Sequence, residues 1–161
     1  MRNSFVISLL CLLFFACQQE PKTNLKPLNL LQYDIPLTIM APDSAEVKTM
    51  DLLVQKDVTI KGGDDYFVQI FVSDAITTDT KKILADLMAD VKKNRYFSKM
   101  VKEEENGFIY ETMIDSTHTN YGFRQVRVQG DREFIFQTGL IGTFDQAQVE
   151  IMYNAVKPVK K

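Results

Sequence analysis

Residues 66–95 read YFVQIFVSDAITTDTKKILADLMADVKKNR, and the hydrophobic period changes once within them. From Tyr66 to Ser73 it is two: Tyr66, Val68, Ile70 and Val72 point one way and Phe67 and Phe71 the other, as in a strand. A strand apolar on both faces is expected to be covered on both faces, in the middle of a sheet. Over 79–95 the period becomes that of a helix. Ile83, Leu84, Leu87, Met88 and Val91 share one face, with Lys81, Lys82, Asp86, Asp90, Lys92 and Lys93 opposite or flanking. About four turns are predicted, with Thr77, Thr78 and Asp79 as capping candidates.

Working outward, Gly62-Gly63-Asp64-Asp65 joins the strand to a preceding one at Asp57–Lys61, a hairpin signal. Before that, residues 28–40 are rich in apolar positions (Leu28, Leu30, Leu31, Tyr33, Ile35, Leu37, Ile39), with Pro36 limiting any ladder. Ala41-Pro42-Asp43-Ser44 reads as a turn and Val47–Val54 as a short extended piece. Downstream, Asn106-Gly107 marks a hairpin between KMVKEEE and FIYETMI. A polar loop at Asp115–Asn120 leads to strands Tyr121–Gln129 and Glu133–Leu140, joined at Gly130-Asp131. A three-residue loop there, or a bulge, would oppose Val128 to Phe134 and Val126 to Phe136. Gln125, Arg127 and Gln137 would then share the other face, away from the core, and that register is expected. Thr143-Phe144-Asp145-Gln146 reads as a capping box for a helix reaching Val156, with Phe144, Ala147, Ile151, Met152 and Ala155 as its buried stripe. Pro158 stops it, and Lys157, Lys160 and Lys161 suit its C-terminal end. The fold class is α+β: a mainly antiparallel sheet with a long middle helix and a C-terminal helix packed on it.

The whole chain has 161 residues, with 19 Lys+Arg against 21 Asp+Glu, which suits one domain and lacks the basic balance of a nucleic-acid binder. Two cysteines, Cys11 and Cys17, exclude a disulfide framework. The first sixteen residues, MRNSFVISLLCLLFFA, have a positive n-region at Arg2 and an apolar run from Phe5 to Phe15, the length of a signal h-region and too short to span a bilayer. Leu13-Phe14-Phe15-Ala16-Cys17 resembles a bacterial lipobox. The resemblance implies that Cys17 carries acyl chains such as palmitate, that residues 1–16 are removed, and that the domain is held at a membrane by its N-terminal lipid. Gln18 in place of Asp resembles outer-membrane sorting, and Gln18-Gln19-Glu20 resembles the polar tract of some surface-exposed lipoproteins. The expected location is therefore the outer membrane, on its periplasmic face or at the cell surface. The mature chain would have 145 residues and a net charge of −3. Residues 17–27 would be the lipidated cysteine and a polar tether with two prolines, and 28–161 a single domain.

A β-rich start, a middle helix, paired hairpins and a terminal helix resemble the PsbP-like superfamily, including its DcrB-like bacterial lipoproteins. The likeness is carried by Tyr66–Ser73, the helix 79–95 and the stretch Phe134–Val156. It implies an accessory or binding role, and transfers no site residue.

Catalytic chemistry has little to work with. His118 is the only histidine, so a zinc site would need three carboxylates beside it, and no metal or cofactor is expected. Asp115, Ser116 and His118 lie in one loop, a spacing that suits a polar turn better than an oriented triad. Glu103-Glu104-Glu105 reads as a solvated strand end, and Gly139-Leu140-Ile141-Gly142 lacks the Lys and Ser/Thr of a phosphate loop. Tyr121, Arg124, Arg127 and Arg132 form the one basic–aromatic cluster, a candidate docking surface for an envelope protein or an anionic ligand. The expectation is a monomeric, non-catalytic binding or accessory lipoprotein. The alternative is a small envelope hydrolase using His118 with Asp115 and Glu111.

Overall fold

The computed structural model describes residues 24–115 and 117–158. Nine strands and two helices run along them: β1 (Leu25–Asn29), β2 (Thr38–Pro42), β3 (Glu46–Asp51), β4 (Lys56–Gly62), β5 (Tyr66–Asp74), α1 (Thr80–Lys93), β6 (Phe97–Glu104), β7 (Gly107–Met113), β8 (Thr119–Gln129), β9 (Arg132–Thr138) and α2 (Gln146–Ala155). The protein is α+β, as its periods predict. One seven-stranded sheet has the order β3-β4-β5-β9-β8-β7-β6, every neighbouring pair antiparallel, and β1 and β2 form a separate ribbon. Four antiparallel pairings separate β5 from β6, so these two strands run in the same direction. Helix α1 carries the chain between them, past β9, β8 and β7.

The hairpin at 62–65 forms as expected, with Gly62 opposite Tyr66 and Gly63 in the left-handed region at φ 68°. Only glycine adopts that conformation without a steric cost. Asp79 caps α1, its carboxylate accepting from the Lys81 and Lys82 amides at 3.1 Å. The helix itself covers 14 residues, ending before Asn94 and so short of the 79–95 expected.

Each sheet face has its own core. On one face lie Val58, Ile60, Tyr66, Val68, Ile70, Val72, Ile109, Phe123, Phe134 and Phe136, covered by α2 and by Leu30, Ile35, Leu37, Ile39 and Ala41 of the β1–β2 segment. On the other, Ile83, Leu84 and Val91 of α1 pack on Phe108 and Val126, with Leu87 and Met88 partly buried. At about 1.5–3 kcal/mol for each buried large side chain, burial in these two layers outweighs any single polar contact. Helix α1 lies mainly over β6 and β8 and leaves the same face of β5 less covered. Phe67 and Phe71 therefore remain half-buried, and β5 is fully covered on one face alone. Beside them a polar ladder crosses three strands: Gln137 donates to Gln69 at 2.9 Å, and Gln69 to Asp57 at 2.7 Å.

Several expectations are corrected. The β8–β9 loop has two residues, with Gln129 opposite Arg132, so Arg127 faces Phe134 and Gln125 faces Phe136. The expected pairing of Val128 with Phe134 assumed one wet face. Here both faces are covered, Val126 packs under α1, and Gln125 and Arg127 share the α2 face with the phenylalanines. The β6–β7 turn is Glu105-Asn106, and Gly107 already belongs to β7. Glycine is needed there for close approach: a Cβ would lie 2.7 Å from the Arg124 carbonyl oxygen and 2.9 Å from the Tyr153 ring. The cap of α2 is Asp145, whose capping box closes with Gln148, two residues beyond the Thr143–Gln146 expected. Of the expected stripe Phe144, Met152 and Ala155 are buried, joined by Val149, Tyr153 and Val156, while Ile151 is half-buried and Ala147 exposed. Finally, β1 takes in Leu25–Pro27, paired with Pro42–Met40, so the paired chain begins inside the stretch read as tether.

Candidate functional site

Four segments meet at one end of the sheet around an open cleft of about 1100 Å³. They are the 3₁₀ turn Leu31–Tyr33 with Asp34, the β3–β4 connection 52–55, the end of β5 with Ile76, and Arg132 at the start of β9. Leu53 and Ile76 are fully exposed, and Leu31, Leu52 and Val54 largely so. Scattered exposed aliphatics are ordinary; here five gather around one concavity.

The walls are held by specific contacts. Leu52 N–H donates to the Gln55 carbonyl at 2.8 Å, closing the connection that projects Leu53, and Ala75 N–H donates to the Asp131 carbonyl at 2.7 Å. Asp34 adopts φ 62°, a conformation costing about 1–2 kcal/mol for most residues and least for Asp and Asn. Its carbonyl accepts from Arg132 Nη1 at 2.7 Å, and its carboxylate lies 3.8 Å from Lys56 Nζ. Lys56 also donates to the Tyr33 carbonyl at 3.2 Å and lies 3.5 Å from Asp51. The cleft thus has aliphatic walls and a rim of paired charges.

The residues singled out from sequence do not form one surface. Tyr121 lies on the α2 face and donates to Glu111 Oε2 at 3.0 Å. Arg127, on the same face, donates to the Val156 carbonyl at the end of α2 at 2.8 Å and lies over the Phe136 ring at 5.2 Å. The α2 C-terminus attracts that cation. Arg124 is on the opposite face, its guanidinium 5.9 Å from the Tyr110 ring. Of the four, Arg132 alone lines the cleft. Cys17 and Ser116 lie outside the described residues.

Asp115 accepts from Thr117 N–H at 2.8 Å, Thr117 Oγ1 at 2.8 Å and His118 N–H at 2.9 Å, and its Oδ2 is 2.8 Å from His118 Nδ1. Those contacts, the Thr117 amide first, hold its carboxyl down to about 2. Both side chains are exposed, so the pair is a solvated turn. Glu111, itself buried, has a separate set of donors: Ser98 Oγ at 2.7 Å, Tyr121 and Lys99 Nζ at 3.2 Å, which together hold its carboxyl below the usual range, Ser98 contributing most. Tyr121 and Lys99 share Oε2 and Ser98 takes Oε1, contacts that favour the ionised form. Glu104 is joined by Lys102 at 2.7 Å and Lys157 at 2.8 Å and lies at about 2, the Lys102 hydrogen bond being the largest cause.

Leu52-Leu53-Val54 and Ile76 were not singled out from sequence. The available signal was three consecutive aliphatics at the end of a polar strand, a run that belongs to a core or an interface. By architecture the chain is a three-layer α+β protein, with a seven-stranded antiparallel sheet between α1 and the α2–ribbon layer. Compared with family models, curated proteins and solved structures, it gives no match.

Proposed function

We propose that this chain is a lipid-anchored lipoprotein of the outer membrane whose domain is a non-catalytic binding or accessory module, docking an envelope partner through the cleft. The observation that carries the reading is the position of the exposed aliphatics relative to the start of the domain. The chain joins it at Leu25, opposite Pro42, whose ring lies against Gly62 at one end of β4. Lys56, at the other end of β4, lines the cleft. Residues 18–24, between the lipobox cysteine and β1, span at most about 25 Å. A lipid on Cys17 would then hold that end toward the bilayer and present Leu53 and Ile76 away from it.

The succession of ribbon, hairpin, middle helix, paired hairpins and terminal helix supports a place near the PsbP-like superfamily, with the accessory role that this resemblance implies. The hydrolase alternative has His118 beside Asp115 at 2.8 Å, but that pair is solvent-exposed, and Glu111 is bonded to a separate set of partners.

The test is crosslinking on intact membranes with the full chain and with a Leu53→Asp/Ile76→Asp variant. Both positions are exposed, so the variant keeps its fold. The expected result is a discrete crosslinked partner that the double variant loses, together with release of Cys17→Ser from the membrane fraction. Recovery of the same partner by the double variant overturns the docking assignment, and membrane retention of Cys17→Ser overturns the anchor.

A further inference from the structure

A second, smaller opening lies where two strands separate. The β8–β9 ladder ends at the Arg124–Gln137 pair; β9 stops at Thr138 and the chain leaves through Gly139–Gly142. It returns to β8 at Tyr121, whose N–H donates to the Phe144 carbonyl at 3.0 Å, while Phe144 N–H donates to Asn120 Oδ1 at 2.8 Å. Between these two closures is a cavity of about 140 Å³ lined by Arg124, Tyr110, Asn120, Thr138, Gly122 and Gly139, among others. Gly122 makes room for the phenol: a Cβ there would sit 2.6 Å from Tyr110 Cζ and 2.7 Å from its hydroxyl.

Arg124 is the anomaly. A guanidinium has five N–H donors, and this one makes a single hydrogen bond, from Nη1 to the Phe123 carbonyl at 3.3 Å. Among the described residues it forms no ion pair, whereas Glu104 and Glu111 are both paired. The Tyr110 hydroxyl likewise makes no hydrogen bond to a described residue. Burial pulls the Arg124 pKa below the usual arginine range, with neighbouring Tyr110 acting in the opposite direction. The donors left over are not buried and line a polar cavity with no carboxylate of a described residue paired to them, so an oxyanion entering it would find them free.

We propose that this cavity binds one small oxyanion, a carboxylate or a phosphate group, taken by the Arg124 guanidinium with the Tyr110 hydroxyl as a second donor. Guanidinium geometry favours planar and tetrahedral oxyanions over spherical halides. The site lies apart from the aliphatic cleft and is independent of any docking there.

Calorimetric titration of the full chain with inorganic phosphate, and separately with acetate, at an ionic strength fixed with sodium chloride, tests the assignment. The expected result is saturable one-to-one binding of at least one of the two, and which one identifies the class. Arg124→Met should weaken it at least about tenfold, and Tyr110→Phe by a smaller factor. Arg127→Met, on the opposite face, should bind like the parent. Binding no stronger than that of chloride overturns the proposal, as does an Arg124→Met protein that binds like the parent. Should that variant not fold by circular dichroism, Arg124→Lys with Tyr110→Phe decides, and parental affinity in both overturns it.

Discussion

Arg127→Ala separates the two possible registers of the β8–β9 hairpin by its stability alone. Were Arg127 on a solvated face, the substitution would cost within about 0.5 kcal/mol. In this fold the guanidinium donates at 2.8 Å to the Val156 carbonyl, just past the last residue of α2, and lies over Phe136 at 5.2 Å. Losing a hydrogen bond from a charged donor costs about 1.5–3 kcal/mol, and the cation–π contact adds about 0.5–1. Arg127 is only half-buried, so the lower parts of those ranges apply and the expected loss is about 2 kcal/mol. In a domain of this size that lowers the thermal midpoint by roughly 5–10 °C. The chain has no tryptophan, so the assay is urea unfolding followed by far-ultraviolet circular dichroism. Arg127→Met should recover the part of the loss due to packing of the aliphatic stem, leaving the part due to the hydrogen bond. An Arg127→Ala change below about 0.5 kcal/mol would refute the register and the packing of α2 against it.

Gly107→Ala should destabilise by about 2–3 kcal/mol in the same assay, because its Cβ would lie 2.7 Å from a backbone oxygen that cannot move without displacing β8. Asp145→Ala should cost about 1 kcal/mol and Thr143→Ala only a few tenths, since Asp145 is the residue that accepts from the Gln148 amide. Glu104 lies at about 2 against an ordinary value of 4.5, held down first by Lys102 and then by Lys157. A depressed carboxylate contributes stability above its ordinary value and loses it as pH falls toward the folded one. Acid titration should therefore show a loss beginning below about 4.5, and Glu104→Gln should flatten that limb.

The strand and helix periods of 66–95, the hairpin at 62–65 and the Asp79 cap were legible because each rests on contacts within a few residues. Apolar spacing sets which side of an element is buried, and a glycine or a capping carboxylate acts on its own neighbourhood. Register was not legible. Pairing Val126 with Phe136 or with Ile135 leaves comparable local patterns, and the choice depends on what covers each face. Arg127 shows the consequence: a charged residue in a strand reads as solvated until α2 supplies a carbonyl for it and Phe136 a ring. The same holds for Asp145, which displaces Thr143 as the cap because β8 holds Phe144 through Asn120 and Tyr121 and so decides where the helix starts. The sequence by itself determined the two helices, most strands of the main sheet and the α+β class, through short-range periodicity and turn chemistry. Which strands neighbour one another, which arginine lacks a counter-charge and which aliphatics share a cleft were decided by tertiary structure alone, because those pairings join residues far apart in the chain.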